Sequence, residues 1–102
     1  MAIADEIAAR LAGEFLDDAG DRLARAQIAL NELANRPKDP RPLLLDLARE
    51  IHNLKGAGKT FGFPTVSLIA DRFEDFLEAN AEKTPFPTVE LQRFADALGD
   101  VL

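Results

Sequence analysis

Apolar residues recur every three or four positions along almost the whole chain, and prolines divide that pattern into segments. This spacing is the period of an α-helix that buries one stripe of its surface. Pro37, Pro40 and Pro42 interrupt the pattern once, and Pro85 and Pro87 interrupt it again. No segment shows the alternation of polar and apolar residues that is typical of a strand, so the sequence predicts an all-α fold.

The pattern predicts four substantial helices and a short first helix that carries Ile3, Ile7 and Leu11. Gly13 and Gly20 are positions at which this first helix could separate from the next. The apolar stripes of the four longer helices are Leu16, Ala19, Leu23, Ala26, Leu30 and Leu33; Leu44, Leu47, Ile51, Leu54, Gly58 and Phe61; Val66, Ile69, Ala70, Phe73, Phe76 and Leu77; and Leu91, Phe94, Ala95, Leu98 and Val101. We expect one domain over residues 1–102, an antiparallel up-and-down four-helix bundle with a short additional N-terminal helix.

Residues that favour helix ends lie beside the predicted breaks. Asp39 before Pro40 is typical of an N-cap followed by a proline in the first turn. Thr88 is expected to cap the last helix. Gly62 is expected to end the second long helix, because glycine tolerates the left-handed geometry of a helix stop, and Pro64 suits the first turn of the helix that follows.

The composition excludes several classes of protein. Lys and Arg total 12 against 18 Asp and Glu, a net charge of −6, so the chain lacks the basic stripe of a nucleic-acid-binding protein. It has no cysteine for a disulfide or a thiolate metal site. No apolar run approaches the ~20 residues of a membrane span, and the start does not resemble a secretory signal. We expect a cytoplasmic protein that binds no membrane, and a monomer, because four helices complete a core.

The only histidine, His52, lies in the second long helix beside cations and a glycine. Helical spacing places Lys55, Gly56 and Lys59 on its face. A neutral imidazole can attack phosphorus, a lysine one turn away can neutralise phosphoryl charge, and a glycine leaves room for a second protein. These residues indicate a histidine that accepts a phosphoryl group. The alternative is a surface histidine without chemistry, beside two lysines that complement the helix dipole.

The segment His52-Asn53-Leu54-Lys55-Gly56 fits the H-x-x-K-G signature of histidine phosphotransfer (HPt) domains. Thr60-Phe61-Gly62-Phe63 and the later pair Phe73-Glu74 are similar to the N-terminal phosphotransfer domain of chemotaxis histidine kinases, which suggests a bacterial source. The chain differs from those domains at Lys59, where they tend to have glycine, and at Asp71, near the position of a second histidine in some of them. The resemblance covers nearly the whole chain.

The resemblance implies a role for each matched residue. His52 would be the phosphoacceptor through Nε2, and Lys55 would stabilise the phosphoryl group. Gly56 would give access to the histidine, and Glu74 would orient the ring by accepting a hydrogen bond from Nδ1. The residues expected to dock a partner are Leu45, Ala48, Arg49 and Lys59.

The implied function is that of a phosphoryl carrier in a two-component phosphorelay. The protein would accept a phosphoryl group on His52 from a histidine kinase and pass it to an aspartate of a response-regulator receiver domain. It would be a carrier rather than an enzyme, since it lacks the length and the glycine-rich loop of an ATP-binding domain. It would need no cofactor, because the receiver supplies magnesium.

Two other functions compete with this one. A helical module that binds a partner without being phosphorylated is the open alternative. A metal-dependent carboxylate bundle is disfavoured, because such sites need Glu-x-x-His pairs on facing helices. Position 49 is arginine, and the chain has no second histidine.

Overall fold

The computed structural model describes residues 2–83 and 85–102, which form four α-helices. They are α1 (Ala2–Ala34), α2 (Arg41–Phe61), α3 (Pro64–Asn80) and α4 (Thr88–Val101). Both α1 and α3 pack against α2 and α4, so the helices stand in a square. Short connections return each helix alongside the one before it. The predicted all-α four-helix bundle is confirmed.

The first helix is continuous, and the prediction of a separate N-terminal helix is wrong. Gly13 and Gly20 lie inside α1, where each costs about 1 kcal/mol relative to alanine. Their neighbours are mostly strong helix formers, and no proline interrupts them. At 33 residues α1 is the longest helix, and it extends past the bundle. Ile3, Ile7 and Leu11 lie on this extension and are exposed.

One apolar core fills the space between the four helices. Leu47, Ile51 and Leu54 of α2 and Phe73 of α3 are each 0% exposed. The predicted stripes are buried or half-buried except at three positions. Phe61 and Val101, at helix ends, are 41% and 39% exposed, and in α1 the core position belongs to Phe15 rather than to Leu16. Phe15 precedes the buried Ala19 by one turn, which places both side chains on the face toward the core.

The connection between α2 and α3 consists of Gly62 and Phe63. Gly62 has a φ of +79° and ends α2 as expected. The Phe63 N–H donates to the Gly58 carbonyl at 2.8 Å, the long hydrogen bond of a Schellman motif. The Phe63 ring stacks on Phe15 with centroids 4.4 Å apart, so this turn is packed onto α1. Pro64 is the first residue of α3, as the sequence predicts.

The two predicted N-caps are displaced by one residue. α2 begins at Arg41 with Pro42 in its first turn, and Asp39 Oδ1 accepts a hydrogen bond from the Arg41 N–H at 3.2 Å. Thr88 is the first residue of α4 instead of its cap, because the non-helical backbone belongs to Pro87 (ψ 68°). No helix in the described part of the chain is both long and apolar enough to cross a membrane.

Candidate functional site

His52 lies in the middle of α2 and points away from the core. Its neighbours Ile51 and Leu54 are fully buried, whereas the His52 side chain is 68% exposed. Nδ1 lies 2.8 Å from Oε2 of Glu74 on α3. Nε2 makes no hydrogen bond to the residues that the structure describes. The ring is therefore held from one side and open on the other.

The carboxylate of Glu74 determines which nitrogen of His52 carries the proton. The Lys55 ammonium is the main cause that lowers the pKa of Glu74 below its ordinary value of 4.5; partial burial opposes this, and the His52 contact adds to it. An ionised carboxylate only accepts hydrogen bonds, so Nδ1 is the donor. In the neutral ring the lone pair then lies on the exposed Nε2.

Lys55 lies between two carboxylates of α3. Its Nζ donates to Glu74 Oε1 at 2.6 Å and to Asp71 Oδ1 at 3.3 Å. The hydrogen bond to Glu74 is the main cause that raises the pKa of Lys55 above 10.5, and Asp71 contributes less. The lysine is therefore charged at neutral pH and shares Glu74 with His52.

One face of α3 supplies these contacts. Ser67, Asp71 and Glu74 follow one another at steps of four and three residues, which places them on one side of a helix. Ser67 is buried, and its hydroxyl donates to the Lys55 carbonyl at 3.0 Å. The contacts of Ser67 and Asp71 are not among those predicted from the sequence. Their helical spacing from Glu74 was the signal that could have found them.

The two glycines of α2 differ in their surroundings. A Cβ at Gly56 would meet nothing within 4 Å. A Cβ at Gly58 would lie 3.0 Å from the backbone nitrogen of Ser67 and 3.1 Å from the Phe63 carbonyl oxygen. Gly58 therefore allows α3 to approach α2, whereas the space beside Gly56 is open to solvent.

The residues expected to dock a partner lie along α2 on both sides of His52. Leu45 is 66% exposed, Arg49 and Lys59 are exposed, and Ala48 is half-buried against the core. Arg49 lies 3.8 Å from Asp46 of the same helix. Three of the four side chains are thus available to another molecule on the side that exposes His52.

The arrangement combines an oriented imidazole with one nitrogen unengaged, an adjacent cation and an open approach. In residues 2–83 and 85–102, no group of three or more His, Cys, Asp or Glu side chains is placed to hold a metal ion. An uncrowded imidazole beside an ammonium group suits the transfer of a phosphoryl group, which needs positioning and charge neutralisation.

Comparison with known proteins identifies the family. The family model described as "Hpt domain" matches residues 10–101. A protein named "Gliding motility regulatory protein" from Myxococcus xanthus is 31% identical over 91 residues, a match that covers 86% of this chain and 12% of that protein. The chain thus spans a small part of the length of this relative, and no solved structure matches it. The chain belongs to the Hpt domain family, the histidine phosphotransfer domains of two-component signalling.

Proposed function

We propose that this protein accepts a phosphoryl group on Nε2 of His52 and passes it to an aspartate of a response-regulator receiver domain. The observation that carries the proposal is the exposed ring whose Nδ1 is held by Glu74 at 2.8 Å. That contact leaves the lone pair on the nitrogen that faces solvent. Members of the family are carriers, and here the kinase and the receiver would provide the catalytic groups.

The two transfer steps require no proton to be added to or removed from the His52 ring. The Nε2 lone pair attacks the γ-phosphorus of ATP bound to a histidine kinase, and the bond to the bridging oxygen breaks with its electrons on ADP. The Nδ1 proton stays on the ring, where Glu74 stabilises the positive charge. In the second step a receiver carboxylate attacks phosphorus, the N–P bond breaks, and its electron pair returns to Nε2.

Lys55 and Gly56 support this chemistry in different ways. A phosphoryl group on His52 carries about two negative charges, and the Lys55 ammonium lies one helical turn from the ring. Gly56 lies one turn from His52 on the exposed side, and a Cβ at this position would have no neighbouring atom within 4 Å. We propose that Lys55 neutralises the phosphoryl group and that the surface at Gly56 admits the partner.

The exposed residues along α2 suit a receiver domain as partner. Leu45 offers an apolar contact, and Arg49 and Lys59 place positive charge on either side of His52. A receiver carries its acceptor aspartate in an acidic pocket that binds magnesium, so the two charges complement it. We propose that the same surface meets the histidine kinase.

The test is direct phosphorylation of the purified protein. Phosphoramidate, a small donor that needs no partner, and a panel of histidine kinases and phosphorylated receivers are each incubated with the wild-type chain. We expect a label that is stable in base and labile in acid. The label is expected to disappear in His52→Gln and to persist in Asn53→Ala, a matched change at an exposed neighbour.

Two results would reject the proposal. A label that persists in His52→Gln would show that another residue is modified. A folded wild-type protein that no donor labels would favour the alternative, a helical module that binds its partner without phosphorylation.

A further inference from the structure

We infer that Asp71 is a positioning residue that holds Lys55 away from His52 until a phosphoryl group arrives. The inference rests on the proposed function. Lys55 Nζ contacts both Glu74 and Asp71, but only Glu74 also contacts His52. Asp71 thus acts on the lysine without touching the ring.

The position of Asp71 on α3 determines the direction in which its carboxylate attracts the Lys55 ammonium. Glu74 lies beside His52, and Asp71 lies one turn earlier on α3. Asp71 lines a surface concavity together with Gly58 and Lys59, which follow Lys55 along α2. Because His52 precedes Lys55 by one turn, the Asp71 carboxylate draws the ammonium toward the opposite end of α2.

Of the two carboxylates, Asp71 makes the contact with Lys55 that is more easily broken. Its oxygen is 3.3 Å from Nζ, against 2.6 Å for Glu74, and its side chain is 39% exposed, against 26% for Glu74. Its second oxygen lies 3.7 Å from Arg72, so the carboxylate still has a cation nearby when the lysine leaves. Glu74 can meanwhile keep its hold on the ring.

A phosphoryl group on Nε2 would compete with Asp71 for Lys55. It offers three oxygens and about two negative charges one helical turn from the lysine, whereas Asp71 offers one charge. Lys55 has three N–H donors, so one can stay on Glu74 while another turns to the phosphoryl group. Removing the Asp71 carboxylate should therefore make Lys55 available from the start.

The experiment measures the initial rate at which phosphoramidate labels His52 in the full chain. Nε2 attacks phosphorus, and the donor's protonated nitrogen leaves as neutral ammonia with the electrons of the broken N–P bond. We expect Asp71→Asn to speed labelling about two- to fivefold, the range that one exposed ion pair can supply. Asp71→Glu, which keeps a carboxylate, and Asp75→Asn, the same change one turn away on an exposed position, should stay within about twofold of wild type.

A double-mutant cycle separates the lysine from the simple loss of a negative charge. In a Lys55→Met background, Asp71→Asn is expected to change the rate by less than about 1.5-fold, because no lysine remains to be released. An acceleration that persists in full in that background would overturn the inference, as would a wild-type rate in the Asp71→Asn single variant. If phosphoramidate leaves the wild-type chain unlabelled, the same rates are measured with a histidine kinase or phosphorylated receiver that labels it, and a chain that no donor labels would instead reject the proposed function. Helicity by circular dichroism checks that every variant is folded.

Discussion

The two faces of α2 differ in what they bury, although both follow the same helical spacing. The open face carries five exposed residues, namely Leu45, Arg49, His52, Gly56 and Lys59. The packed face carries four buried residues, namely Leu47, Ile51, Leu54 and Gly58. The packed face joins α2 to the core. The open face makes few contacts within the bundle, so one helix can stabilise the fold and also expose the His52 ring.

The two glycines show that the same residue serves opposite purposes on these faces. At position 58 a larger residue would crowd α3, because its Cβ would lie 3.0 Å from the Ser67 backbone nitrogen. Gly56 has no such neighbour, so packing within this chain does not require it. Gly58 is therefore needed for the packing of α3 on α2, whereas Gly56 is not needed for packing, which agrees with its proposed role in access to His52.

The largest expected effect is that of replacing Lys55, which lies between the two faces of α2, on the rate of phosphoryl transfer. Lys55→Ala should slow phosphoryl transfer to His52 about ten- to hundredfold, because a charge-assisted contact to the phosphoryl group is lost. Labelling by phosphoramidate measures the rate, and circular dichroism checks the fold. Lys38→Ala removes the same charge from an exposed loop and serves as control. Equal rates for the two variants would contradict a role for Lys55.

A pair of alanine substitutions tests the two glycines directly. Gly58→Ala should lower the free energy of unfolding by about 1–3 kcal/mol, because its Cβ would press on the backbone of α3. Gly56→Ala should raise it by about 0.5–1 kcal/mol, because alanine favours the helix and meets no neighbour. Urea denaturation measures both values. If Gly56→Ala lowers the free energy of unfolding more than Gly58→Ala does, the conclusion that only Gly58 is required for packing is wrong.

Gly56→Leu tests access without disturbing the packed face. We expect transfer between His52 and a receiver domain to fall about tenfold, because the added side chain meets the partner. Labelling by the small donor phosphoramidate should stay within about twofold of wild type. Measuring both donors on one variant separates a blocked surface from a damaged histidine. Unchanged transfer to the receiver would remove the access role of Gly56.

The smallest expected effect concerns the pH dependence of stability. The lowered pKa of Glu74 stabilises the fold above its ordinary value of 4.5, and this contribution is lost as pH falls through the lowered pKa. The raised pKa of Lys55 stabilises the fold below 10.5, and this contribution is lost as pH rises through the raised pKa. Both contributions are therefore present at neutral pH.

Glu74→Gln should lower the melting temperature at pH 7 by only ~3 °C, since the site is partly exposed and a domain of this size shifts by a few degrees per kcal/mol. The difference from wild type should shrink as the pH falls well below 4.5, where Glu74 is protonated in both states. Thermal melts at a series of pH values measure it. A difference that grows in acid would contradict the assignment of the charge pair.

Much of the fold follows from residues that are close together in the chain. The four helices, the stop at Gly62 and the start at Pro64 depend on helical period and local backbone preference. The exposure of His52 follows in the same way, because Ile51 and Leu54 occupy the buried stripe. The role of Glu74, in contrast, came from the family resemblance, since nothing in its own spacing relates it to His52.

Other features depend on how the helices meet. The continuity of α1 was mispredicted, because two glycines weaken a helix without ending it when strong helix formers surround them. The burial of Phe15 in place of Leu16 depends on the rotation of α1 about its own axis. That rotation is set by the packing of the whole bundle and by the contact with Phe63.

The sequence by itself determined which residues share a face of α2, and so placed Lys55 and Gly56 beside an exposed His52. Only the tertiary structure decided that Asp71 accepts a hydrogen bond from Lys55 and that the backbone of α3 approaches Gly58. The reason is physical. Positions within one helix follow from a repeat of 3.6 residues, whereas contacts between helices depend on their rotation and register, which the packed core establishes for the bundle as a whole.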